Sequence, residues 1–171
     1  AHDRVSAEMI KELDHETRLL LACSFSVRAS GGMPCPDSWC KLRAVLLPKI
    51  PKPLTCGDLR PITIVPTLRK LFSACLLAKV RLQLEPALSP WNLGCRKGVQ
   101  AAELVHSLKS LAEKSVEWKL PLCVAKLDFR KAFDSLYHSA VETTLSSAGC
   151  NSEVTTAVLR ELVGCSTCFV M

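Results

Sequence analysis

Leu127-Asp128-Phe129-Arg130-Lys131-Ala132-Phe133-Asp134-Ser135-Leu136 lies in the last third of this 171-residue chain. An apolar run, Leu122-Cys123-Val124-Ala125, leads into the carboxylate of Asp128, and a second carboxylate follows at Asp134. A strand that delivers an aspartate at its end, just before a turn and a helix, is a common way to present a metal-binding carboxylate. The stretch therefore predicts a strand over 122–128, then a turn and a helix through about 148. A helix N-cap, in which the side chain accepts a backbone N–H, is the plain alternative for Asp128 taken alone.

Working outward, residues 5–28 predict one helix, with Val5, Met9, Leu13, Leu20 and Phe25 at roughly helical spacing. Gly31-Gly32 and Pro34 end it. Ala44-Val45-Leu46-Leu47 reads as a buried strand stopped by Pro48, followed by the loop Lys49-Ile50-Pro51-Lys52-Pro53 and a short strand around 62–65. Pro66-Thr67 opens a long helix with Leu68, Leu71, Phe72, Cys75, Leu76, Val80 and Leu84 on one face. After a loop bounded by Pro86 and Pro90, a second amphipathic helix covers 99–118, with Leu104, Val105, Leu108, Leu111 and Ala112 facing inward. Beyond the opening stretch come a break at Gly149, a helix over 152–163, and the start of a strand at Cys168–Met171. Helices and strands alternate without regular βαβ spacing, so the fold class is α+β.

An apolar fraction of 49% supplies a core and excludes general disorder. The net charge of +6 is unevenly spread: residues 41–97 hold eleven Lys/Arg against Asp58 and Glu85 alone. Residues 1–40 hold four against six, and residues 98–171 hold seven against eight. A basic block between near-neutral flanks suits a polyanion-facing surface, since neutralising phosphates releases counterions; a solvated basic face is the bland alternative. The ten cysteines are scattered through apolar stretches rather than set in a framework. Cys165-x-x-Cys168 is the one tight pair, without a second pair to complete a zinc site, while Cys35 and Cys40 flank Pro36 and Trp39. Reduced, mostly buried thiols are expected, hence a reducing compartment, nucleus or cytoplasm. No stretch has the length and apolarity of a membrane span, so no membrane partner is expected. The four histidines carry no pattern, and no phosphate-binding loop or dinucleotide fingerprint is present.

The stretch around Asp128 and Asp134 resembles the first palm motif, Asp-x-x-x-Ala-Phe-Asp, of reverse transcriptases from retrotransposons without long terminal repeats and from group II introns. Trp39, the apolar run ending Leu47-Pro48-Lys49, and Arg60-Pro61-Ile62 resemble the fingers of the same enzymes. Asn92-Leu93-Gly94-Cys95-Arg96-Lys97-Gly98 stands where the family commonly has Gln-x-Gly-Phe-Arg-x-Gly, with Asn92 and Cys95 as departures. The likeness covers nearly the whole chain and implies the right-hand fold, with fingers over 1–98 and the start of the palm over 99–171.

The resemblance implies RNA-directed DNA polymerisation by two-metal nucleotidyl transfer, with an RNA template, a DNA primer and deoxynucleoside triphosphates as partners. Asp128 would be the catalytic, metal-binding carboxylate, with the backbone carbonyl of Phe129 as a further magnesium ligand. Lys49 and Arg60 would reach the incoming triphosphate, and backbone groups near Lys131 and Ala132 would flank it. Phe133 would lie under the sugar and disfavour a 2′-hydroxyl, Arg96 and Lys97 would meet the template, and Asp134 would brace the following helix. The competing assignment for the cations is that Arg60 pairs with Asp58 and Lys49 is solvated. Two magnesium ions need more than one carboxylate, and no Asp-Asp pair exists anywhere in the sequence. The two ions therefore belong to a complete domain, and the 171 residues alone are expected to be inactive. The other readings are a decayed copy that at most binds nucleic acid, and a cysteine-rich zinc or interaction domain.

Overall fold

A computed structural model describes residues 4–96, 98–130, 132–133, 135–163 and 166–169. The chain divides into two compact units, one of Ala1–Pro86 with His138–Met171 and the other of Ala87–Tyr137. In chain order the helices are α1 Ala7–Lys11, α2 His15–Ser30, α3 Asp37–Cys40, α4 Thr67–Leu84, α5 Ala101–Trp118, α6 His138–Ser147 and α7 Ser152–Val163. The strands are β1 Lys41–Pro48, β2 Leu59–Ile64 and β3 Ser166–Phe169. Only α5 falls in the second unit.

The one helix expected over 5–28 is two. Ser6 caps α1 by accepting from the Met9 N–H at 3.3 Å. Asp14 accepts from the Thr17 N–H at 2.6 Å, so its carboxylate takes an orphan donor and starts a new helix. At the far end of α2, Gly31 is left-handed at φ 90°, and its N–H and that of Gly32 bond the carbonyls of Arg28 and Val27 at 3.0 and 2.9 Å. A Cβ at Gly31 would stand 2.1 Å from the Arg160 guanidinium, which is the movable end of a long side chain. Left-handed backbone is therefore the main obstacle, and Gly31→Ala is expected to cost about 1–2 kcal/mol. Chemical denaturation reads this as a fall in midpoint at constant slope.

The first unit is built round α4. Its Phe72, Leu76 and Val80 are buried at helical spacing, as the sequence pattern predicts, although Cys75 on the same stretch is exposed. Trp39, Phe72, Leu76 and Ala157 form one core cluster, with Phe25 packed against it, and Val80, Leu145, Cys150 and Val154 form another. Phe25, Trp39 and Phe72 meet with ring centroids 5.3–6.3 Å apart, at separations typical of favourable aromatic pairs.

This core also holds charge. Glu161 bonds the guanidinium of Arg28 and lies 3.4 Å from Arg69 Nε, with both arginines buried. Arg69 donates to the carbonyl of Trp39 at 2.7 Å and to that of Glu161 at 3.3 Å. Arg28 lies over Trp39 and Phe72, 5.1 and 5.2 Å from the ring centroids.

The sheet has the order β2-β1-β3, with β1 antiparallel to β2 and parallel to β3. Of the strand expected to start at Cys168, residues 168 and 169 lie in β3, which begins two residues earlier, and residues 170–171 lie outside the described residues. The expectation that 44–47 is buried holds for Ala44 alone: Val45 is half-buried, and Leu46 and Leu47 are exposed.

In the second unit, Gln100 and Glu103 form a capping box at the start of α5, and Lys119 ends it at φ 56°. Its apolar stripe does not face inward as expected: no α5 residue is buried, and Val105 is 65% exposed. Among its described residues the unit offers that stripe no second layer, and an amphipathic face needs one to bury it. Nor is there a strand at 122–128. Residues 120–129 form no regular element, and Val124 and Leu127 are exposed. A strand satisfies its backbone through a neighbour, whereas a helix closes its hydrogen bonds on itself.

The thiols also depart from expectation. Among the eight cysteines whose side chains are described, Cys150 alone is buried, Cys35 and Cys40 are half-buried, and Cys23, Cys56, Cys75, Cys95 and Cys123 are exposed. No helix among the described residues is long and apolar enough to cross a membrane.

Candidate nucleic-acid interface

Residues opposite one another in an antiparallel pair share a face, and successive residues alternate between faces. Arg43 is opposite Ile64, Val45 opposite Ile62 and Leu47 opposite Arg60. Those six therefore occupy one side of the hairpin, and all but the half-buried Val45 are exposed. The Lys49 N–H bonds the Asp58 carbonyl at 2.7 Å, which carries the ladder one step further and places Lys49 on that same side. The opposite side presents Leu42 and Ala44 to the interior. One exposed sheet face thus gathers Arg43, Lys49 and Arg60 among Val45, Leu47, Ile62 and Ile64.

The local chemistry keeps much of this charge available. Asp58 does not neutralise Arg60; its carboxylate accepts from the N–H of Thr55 at 2.9 Å, the N–H of Leu54 at 3.1 Å and the Thr55 hydroxyl at 2.9 Å. These bonds, the Thr55 backbone foremost and the Lys49 ammonium least, hold the Asp58 carboxyl below the usual carboxylate range. Among the described residues Arg60 makes no ion pair. The Lys49 ammonium donates to the Gly57 carbonyl at 2.7 Å and remains exposed. The structure thus places Lys49 and Arg60, the two cations for which the resemblance implies a triphosphate, on one face of the hairpin. Sequence reasoning missed Arg43 as their companion; its signal was the two-residue step linking it through Val45 and Leu47 to Lys49.

The remaining predicted site residues lie on the second unit. Asp128, Phe129, Ala132 and Phe133 are exposed, the two rings at 80% and 94%. Arg96 is half-buried and turned toward its own loop, donating to the Ser89 carbonyl at 3.4 Å. Next to it Cys95 is left-handed at φ 59°, and Gly98 has φ 82°, a region glycine enters freely. Lys97, Lys131 and Asp134, and with them the expected brace at Asp134, lie outside the described residues.

For a metal, the described residues do not suffice. No group of three or more His, Cys, Asp or Glu side chains that could hold an ion occurs among them. Among the described residues Asp128 is thus without the further ligands that magnesium chemistry requires. A groove of about 570 Å³ between α2 and α4 is lined by Leu13, Leu21, Phe25 and Leu71, with no carboxylate and none of the predicted site residues in its wall.

Compared with models of protein families and with curated proteins, the chain has no match in either.

Proposed function

We propose that the chain is the fingers and the first palm portion of an RNA-directed DNA polymerase of the non-long-terminal-repeat retrotransposon type, and that its exposed sheet face engages nucleic acid. The observation that carries this reading is the gathering of Lys49 and Arg60, the cations of the Leu-Pro-Lys and Arg-Pro-Ile words, on one face with Arg43. Guanidinium groups make forked contacts to phosphate oxygens and an ammonium acts as a mobile point charge. The aliphatic side chains between them can pack against sugars. Phe133, almost wholly exposed, is available to lie under a nucleotide sugar.

The same chemistry makes the chain inactive as a polymerase when alone. Asp128 is one carboxylate, and the two magnesium ions of the complete domain require others. A second reading, a module that binds nucleic acid without catalysis, is favoured by that lack of a ligand group round Asp128 among the described residues.

The test is fluorescence anisotropy with a labelled RNA–DNA hybrid across a series of salt concentrations. Binding that weakens linearly on a log–log salt plot is expected, and Asp128→Ala should leave it intact. Absence of salt-dependent binding would overturn both readings. They separate in a longer polypeptide that supplies the remaining carboxylates, where primer extension should be lost in Asp128→Ala. Extension that survives this substitution removes the polymerase assignment.

A further inference from the structure

Cys35 and Cys40 bracket α3, which is a single turn closed by the Trp39 and Cys40 N–H groups on the Pro36 carbonyl at 2.8 and 3.2 Å. That turn brings the second thiol back to the first: Cys40 Sγ lies 3.9 Å from the Cys35 carbonyl oxygen. Both side chains are half-buried, and Cys35 packs against the cluster of Trp39 and Phe72. The surrounding backbone is held in place, because Arg69 bonds the Trp39 carbonyl and Cys40 runs directly into β1. Five of the other cysteines with described side chains are exposed and form no disulfide, so among the described side chains a small oxidant meets these two as a neighbouring pair.

We propose that Cys35 and Cys40 form a reversible dithiol–disulfide site, closed by exchange with a low-molecular-weight disulfide and reopened by thiols. The Cys40 sulfur attacks one sulfur of glutathione disulfide; a Cys40–glutathione bond forms, the old S–S bond breaks, and one glutathione leaves. The Cys35 sulfur then attacks the Cys40 sulfur, forming the intramolecular bond and expelling the second glutathione. The two thiol protons end on the two glutathiones, and the protein loses two electrons to the small disulfide. This order suits the surroundings. Burial first, then the hydrogen bond with the Cys40 thiol, pushes the Cys35 thiol up to about 11, and a thiol held protonated is the poorer first attacker. Closure ties the start of β1 to the segment before α3 and is independent of what the sheet face binds.

Trypsin, which cuts after Lys and Arg, isolates the pair, since residues 29–41 hold these two cysteines and no other. The folded protein is incubated with glutathione disulfide, remaining thiols are alkylated, and the peptides are weighed. Residues 29–41 should be recovered without alkyl groups and about 2 Da lighter than the dithiol form, the two hydrogens lost in exchange. Prior dithiothreitol should abolish that species. In Cys35→Ser the reaction should stop with glutathione on Cys40. Two alkylated cysteines in residues 29–41, under conditions that load glutathione onto Cys23 and Cys56, would overturn the proposal. So would a glutathione adduct on Cys40 of the unmutated protein that never closes.

Discussion

Glu161→Ala should destabilise the first unit by about 3–5 kcal/mol, the cost of breaking a buried ion pair by removing one partner. The substitution leaves Arg28 and Arg69 as two buried cations without their shared carboxylate. Arg28 then keeps only the faces of Trp39 and Phe72, and a cation–π contact offsets about 0.5–2 kcal/mol. Domain stabilities of roughly 5–15 kcal/mol leave little margin for such a loss. Urea unfolding followed through the emission of Trp39, the buried member of the three tryptophans, measures it. Glu161→Gln tests charge against shape: it preserves volume but still strands both guanidinium groups, so it too should fall well below the parent. Replacing Arg28, Arg69 and Glu161 together by methionine removes the charges as a set and should recover much of the loss. A shift under about 1 kcal/mol for Glu161→Ala, the value of a solvent-screened pair, would show that water reaches the cluster.

That cluster also marks how far the sequence can be read. The apolar face of α4 was legible because helix periodicity is local, and its Phe72, Leu76 and Val80 are buried as the pattern predicts. The burial of Arg69 one turn earlier was not, since an arginine in a basic block reads as surface. Its carboxylate partner lies 92 residues away in the sequence, and the pair of Arg28 with Glu161 spans 133. The basic block therefore contains an internal cation, Arg69, as well as the exposed Arg43, Lys49 and Arg60. The division of the first helix at Asp14 was legible in principle, because an aspartate three residues before Thr17 is a capping signal. The strand read at 122–128 failed for a different reason. An apolar run states that a segment is to be covered, but its partner strand has to come from elsewhere, and residues 120–129 have none.

Arg43→Ala, Lys49→Ala and Arg60→Ala combined should weaken hybrid binding about 10²-fold at 0.1 M salt. Each phosphate neutralised contributes about 0.7–0.9 to the slope of log affinity against log salt, and hence about five- to eightfold in affinity at that concentration. Removing all three cations should also flatten the slope by about 2–3. The slope is the more telling readout, because a variant that merely loosens the fold lowers the active fraction without changing it. Lys70→Ala with Lys79→Ala is the control: both are exposed cations of α4 rather than of the β1–β2 pair. Arg43 carries the sharpest part of the test. It is absent from the family words that Lys49 and Arg60 belong to, and its placement beside them rests on the pairing of β1 with β2. Equal losses for Arg43→Ala and Lys49→Ala would mean that the whole face meets phosphate. A loss confined to Lys49 and Arg60 would restrict the contact to the end of the hairpin, where an incoming triphosphate would be held.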